Sequence, residues 1–106
     1  MNVVTLAQAE DAIRTTAIYI QQEFGKRSID NFLRKIAETK SLLSSNPYLG
    51  PLEPLLSDRP SAYRSVVVAK QNKLVYRIIN NRFEIADLWD CRREPKALLG
   101  EIDSKL

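Results

Sequence analysis

Apolar residues recur through the first half of the chain at helical spacing. Leu6, Ala9, Ile13, Ala17, Ile20 and Phe24 follow at intervals of three and four, which places them on one face of a helix of about five turns. Thr5-Leu6-Ala7-Gln8 fits a capping box, with Thr5 as N-cap and Gln8 at the third helical position. Gly25 stands where a left-handed residue ends a helix. A second apolar set, Ile29, Phe32, Leu33, Ile36 and Leu43, predicts a helix over 27–45, with Arg34, Lys35, Glu38 and Lys40 on or beside its other side. Ser44-Ser45-Asn46-Pro47 stops it. Only Gly25 and Lys26 separate the two patterns, so the helices over 6–24 and 27–45 form an antiparallel hairpin.

The pattern then changes. Residues 46–61 carry four of the five prolines and Gly50, which predicts an ordered, turn-rich connection. Beyond it come three β-branched and aromatic runs, predicting strands over 62–69, 73–80 and 83–90. Gln71-Asn72 and Asn80-Asn81 are the turns between them, and asparagine tolerates the left-handed backbone of tight hairpins. Strands so joined are antiparallel. Val3 and Val4 predict a short first strand over 1–5 in the same sheet, and Pro95, Leu98, Leu99 and Ile102 a short last helix. The order is β-α-α-β-β-β with a terminal helix, an α+β fold in a single domain over 1–106. Two helices cover one face of so small a sheet. The other face is expected to be open to a partner.

Charge sharpens this picture. The 106 residues hold 16 basic and 13 acidic side chains, a net +3. Residues 1–58 contribute six basic and seven acidic groups, and residues 59–106 contribute ten and six. Between Arg59 and Phe83 there are six basic residues (Arg59, Arg64, Lys70, Lys73, Arg77, Arg82) and no acid. A basic half on a small domain points to a polyanion such as RNA or DNA, or to a plain solubilising surface.

Composition excludes much chemistry. There is no histidine, so no histidine-assisted triad and no histidine-ligated zinc site. The single cysteine, Cys91, forms no internal disulfide and no cysteine-based zinc site. No metal or other cofactor is expected. No apolar run approaches the ~20 residues of a membrane-spanning helix, and Glu10 and Asp11 come too early for a signal peptide, so a cytoplasmic protein is expected.

Several stretches in this order resemble one family. They are Ile18-Tyr19-Ile20 with Phe24-Gly25, Asn46-Pro47 with Gly50, Tyr63-Arg64-Ser65-Val66-Val67-Val68, Lys73-Leu74-Val75-Tyr76, and Leu88-Trp89-Asp90-Cys91-Arg92-Arg93. Together they resemble the RelE/ParE superfamily, the toxin halves of bacterial type II toxin–antitoxin (plasmid stabilisation) modules. The resemblance covers almost the whole chain. It implies a cognate antitoxin partner whose disordered tail folds over the toxin. It also implies one of two activities. RelE-like members are ribosome-dependent endoribonucleases that cut mRNA in the ribosomal A site. ParE-like members inhibit DNA gyrase. A non-toxic basic binding module on the same fold is a third reading.

In the family's nuclease members, basic residues lie on the second strand, at the start of the third and just after the fourth. Arg64, Lys73 and Arg93 resemble those positions, with Arg92 as an alternative to Arg93. Val66 stands where the best-known nucleases carry a second lysine, and no tyrosine follows Tyr76, whereas those members carry one near the C-terminus. The long first helix looks closer to ParE-like members.

Cleaving RNA through its own 2′-hydroxyl needs a base, an acid and stabilisation of a charged phosphorane. Without histidine, Lys73 is the candidate base and Arg93 the candidate bidentate phosphate clamp. Arg64, Arg77 and Arg92 are the candidate nucleic-acid contacts. Along each strand, Arg64, Val66 and Val68 share one side, as do Lys73, Val75 and Arg77. If those two sides coincide, Arg64, Lys73 and Arg77 form a basic cluster on the open face. In the alternative, Arg64 and Arg77 pair with Glu84, Asp87 or Asp90 across the sheet.

Overall fold

The computed structural model describes residues 2–69 and 71–91. The terminal helix expected around Pro95 to Ile102, and both Arg92 and Arg93, lie outside the described residues. The elements are β1 (Asn2–Thr5), α1 (Ala7–Phe24), α2 (Lys26–Ser45), a 3₁₀ turn (Pro54–Leu56), β2 (Tyr63–Ala69), β3 (Asn72–Ile79) and β4 (Arg82–Asp90).

The four strands form one mixed sheet in the order β1-β4-β3-β2. β1 pairs with β4 in parallel, and the β2–β3 and β3–β4 pairs are antiparallel. Asn80 and Asn81 both hold positive φ, 52° and 58°, the left-handed pair that a two-residue hairpin turn demands. Among the described residues, the boundaries of the two expected helices and four expected strands fall within one or two residues of the sequence expectation.

The helix termini differ in detail. Leu6, not Thr5, precedes α1, and no side chain caps it. Thr5 stays in β1, where its Oγ1 accepts from Lys40 Nζ at 3.1 Å. Gln8 turns away to donate to Asp87 at 3.2 Å. The parallel pairing of β1 decides this: it holds Thr5 extended opposite Ile85, and the Leu6 amide donates to the Ile85 carbonyl. Gly25 alone joins the helices, with φ 88° and ψ −175°, a conformation essentially restricted to glycine.

The hairpin packs on one face of the sheet. Ala9, Ala17, Phe32, Ile36 and Leu43 bury against Val68, Leu74, Tyr76, Phe83, Ile85 and Leu88. Two residues expected in these stripes stay outside. Phe24 is exposed at the hairpin tip, edge-on to Tyr19, and Leu33 is also exposed.

The opposite face is not left open. The segment after α2 folds back across it, and Leu56 packs with Tyr63, Val75, Ala86 and Trp89 in a second small core. Leu6, expected in the helical stripe, packs against this second cluster instead.

Candidate functional site

The segment over 46–56 builds the site, and Tyr76 anchors its start. The Tyr76 ring is fully buried and stacks on Phe83 with centroids 4.4 Å apart. Its hydroxyl donates to the Pro47 carbonyl and accepts from the Gly50 amide, both at 3.0 Å. Burial pushes the pKa of this hydroxyl up, against the opposing pull of the Gly50 amide and the Arg64 charge. Gly50 is required here because a Cβ would lie 2.5 Å from the Ser65 carbonyl oxygen and 2.9 Å from the Tyr76 hydroxyl.

The chain then runs along the edge of β2. The Ser65 amide donates to the Pro51 carbonyl at 3.1 Å and the Glu53 amide to the Tyr63 carbonyl at 2.9 Å. Leu52 bridges to Arg64 between them. This register carries Glu53 under the sheet, where it is 2% exposed.

The Glu53 carboxylate is the centre of the site. It accepts from Lys73 Nζ, from the Ser65 hydroxyl at 3.1 Å and from the Leu55 amide at 3.0 Å. Burial alone would raise the Glu53 pKa. The hydrogen bond from Lys73, the Leu55 amide, the Lys73 charge and the Ser65 hydroxyl outweigh it and hold the carboxyl below its ordinary value. Glu53 is therefore ionised at neutral pH. The Lys73 side chain keeps one flank to solvent, at 19% exposure against 1% for Glu53.

The other candidate residues do not gather as one basic cluster. Across the β2–β3 ladder Tyr63 faces Arg77 and Val67 faces Lys73, whereas Arg64 faces Tyr76. Lys73 and Arg77 thus share the face away from the helices, and Arg64 lies on the helix face. There its Nη1 donates to the Gly50 carbonyl at 2.8 Å, and its guanidinium sits 5.0 Å from the centroid of the Tyr48 ring. Arg77 pairs with Glu84 at 2.9 Å, donates to Ser61 at 3.1 Å and lies over the Tyr63 ring. Arg82 reaches the same Glu84 at 3.3 Å. Arg77 is therefore an ion-paired strand residue, one of the two alternatives open in the sequence. Among the described residues no group of three or more His, Cys, Asp or Glu converges as a metal site, and no helix is long and apolar enough to cross a membrane.

No protein-family model and no curated protein matches the sequence. Solved structures do. A chain of the chromosomal ParDE toxin–antitoxin system from P. aeruginosa superposes with a TM-score of 0.69 at 14% identity, over 85% of this chain and 95% of that one. The YoeB/ParE toxin from Agrobacterium tumefaciens gives 0.59 at 21% identity, over 85% and 98%. The YoeB dimer from Staphylococcus aureus gives 0.56 at 26% identity, over 82% and 92%. The chain has the RelE/ParE toxin fold.

Within the RelE/ParE fold, Glu53 is the residue that sequence reasoning passed over. The signal was present: it is the one acid between Glu38 and Asp58, set between Leu52 and Pro54 in a segment rich in turn formers. Spacing gave no means of seeing that this segment folds under β2 and β3.

Proposed function

We propose that the chain is the toxin of a type II toxin–antitoxin pair and that it inhibits translation by cutting mRNA on the ribosome. The observation that carries the toxin reading is the superposition of more than four-fifths of the chain on toxin structures, among them a YoeB–YefM complex from Staphylococcus aureus. An antitoxin is accordingly the expected protein partner, and mRNA on the ribosome the target.

The nuclease reading rests on the Lys73–Glu53 pair. RNA cleavage by internal attack removes the 2′-hydroxyl proton, forms an O2′–P bond, breaks the P–O5′ bond and returns a proton to O5′. Lys73 is ion-paired with Glu53 and lies on the solvent side of that pair, so it serves as the charge on the phosphate. Glu53, ionised and in hydrogen-bond reach of Lys73, is the carboxylate able to take the proton once substrate draws Lys73 aside. Arg93, with Arg92 beside it, supplies the bidentate phosphate contact.

A second reading, ParE-like inhibition of gyrase, draws on the 0.69 TM-score to the ParDE chain and on Val66 in place of a second strand lysine. One paired experiment separates the two. The purified chain is added to programmed ribosomes, with primer extension on the mRNA, and in parallel to a gyrase supercoiling reaction. New mRNA ends that require Lys73 support the nuclease. Inhibition confined to supercoiling selects gyrase, and activity in neither overturns both.

A further inference from the structure

Tyr48 is an aromatic side chain that the fold holds out into solvent. It is 67% exposed, yet its turn is not loose. The residues on both sides are pinned, since Pro47 and Gly50 both bond the buried Tyr76 hydroxyl and Arg64 donates to the Gly50 carbonyl. The Arg64 guanidinium lies 5.0 Å from the ring centroid, within cation–π range. The packing of the core gives no reason to present a tyrosine here. Leu49 and Leu52 beside it are 45% and 58% exposed. A planar ring on a rigid turn, backed by a planar cation, is the recognition element for an unpaired nucleobase.

We propose that Tyr48, with Arg64 behind it, is a stacking platform for one unpaired base of single-stranded RNA. This rests on the RNA reading above and adds a base subsite outside the Lys73–Glu53 pair. Arg64 and Ser65 are neighbours on β2 whose side chains leave by opposite faces, Arg64 to Tyr48 and Ser65 to Glu53. The Tyr48 subsite and the Lys73–Glu53 pair are thus reached from adjacent residues of β2 on its two faces. The charge of Arg64 suits the sugar-phosphate backbone that accompanies such a base.

The test is fluorescence anisotropy of a labelled single-stranded oligoribonucleotide with the full chain. The same backbone carrying abasic sites is the control. The wild type, Tyr48→Ala, Tyr48→Phe and Arg64→Lys are compared, with circular dichroism to establish folding. Losing one stacked base weakens binding by about 5- to 150-fold. Tyr48→Ala is expected to show a loss in that range on the intact strand and none on the abasic strand. Tyr48→Phe should bind as wild type, and Arg64→Lys should fall between because it keeps the charge but not the plane. Equal binding by wild type and Tyr48→Ala overturns the platform while the RNA reading stands. So does an equal loss on both strands, or a Tyr48→Ala defect confined to a protein partner. A wild-type chain that binds no free RNA overturns the platform alone, because the RNA reading places cleavage on the ribosome and is tested there.

Discussion

Replacing Lys73 with alanine removes the cation from a carboxylate that is almost wholly buried. Stripping one partner from a buried pair costs about 3–5 kcal/mol, because the remaining charge is left uncompensated. Two features reduce that here. The Ser65 hydroxyl and the Leu55 amide continue to donate to Glu53, and the 19% exposed flank of Lys73 lets water follow the deletion. About 2–3 kcal/mol is expected at neutral pH. The pH dependence follows from Glu53. In the wild type its folded pKa lies below the unfolded value, so the pair's contribution is complete above the ordinary carboxylate range near ~4.3 and fades as pH falls through the folded value. In Lys73→Ala the largest influence, burial, is no longer opposed by lysine and raises the carboxyl. That variant is penalised at neutral pH and relieved on protonation. The gap between the two proteins should therefore narrow as the solution is acidified. Urea denaturation followed by the fluorescence of Trp89, at about pH 7 and about pH 4, measures it. A neutral-pH difference below about 0.5 kcal/mol, or a gap that holds or widens in acid, refutes the reasoning.

Gly50→Ala must push its Cβ into the Ser65 carbonyl and the Tyr76 hydroxyl. A loss of about 1–3 kcal/mol is expected from thermal unfolding, as for other overpacked sites. Tyr76→Phe leaves the Gly50 amide and the Pro47 carbonyl without their shared partner and should lose about 1–3 kcal/mol. Its 46–50 turn should also show faster amide exchange. Arg93→Ala should reduce mRNA cleavage by about 10- to 150-fold, the equivalent of a charge-assisted contact worth roughly 1.5–3 kcal/mol. Arg93→Lys should restore little, because it lacks the fork.

The fold was legible where local signals agree. Helical stripes with Gly25 between them, β-branched runs and the Asn80-Asn81 turn each predict one structure, and the backbone adopts it. The site was legible only in part. Alternation shows that Arg64, Val66 and Val68 share a side, and that Lys73, Val75 and Arg77 share a side. It does not show which sides coincide, because that depends on the register of the turn. Here the register sets Arg64 against Tyr76 and Lys73 against Val67. The second difficulty was the connection. Its prolines and glycine announce turns, but its placement under the sheet is fixed by long-range contacts: Tyr76 to Pro47, Lys73 to Glu53, and Leu56 in the second core. Those contacts turn the face expected to be open into one largely covered. They also set Lys73, the expected base, against the buried Glu53 carboxylate.

Growth after induction of the intact chain in a bacterial host, with primer extension on abundant mRNAs from the same culture, tests the central claim most directly. Arrest of growth is expected together with new 5′ ends inside coding regions, and both should disappear when a cognate antitoxin is co-expressed. Unimpaired growth at a demonstrated level of folded protein, with no new mRNA ends, would contradict the account.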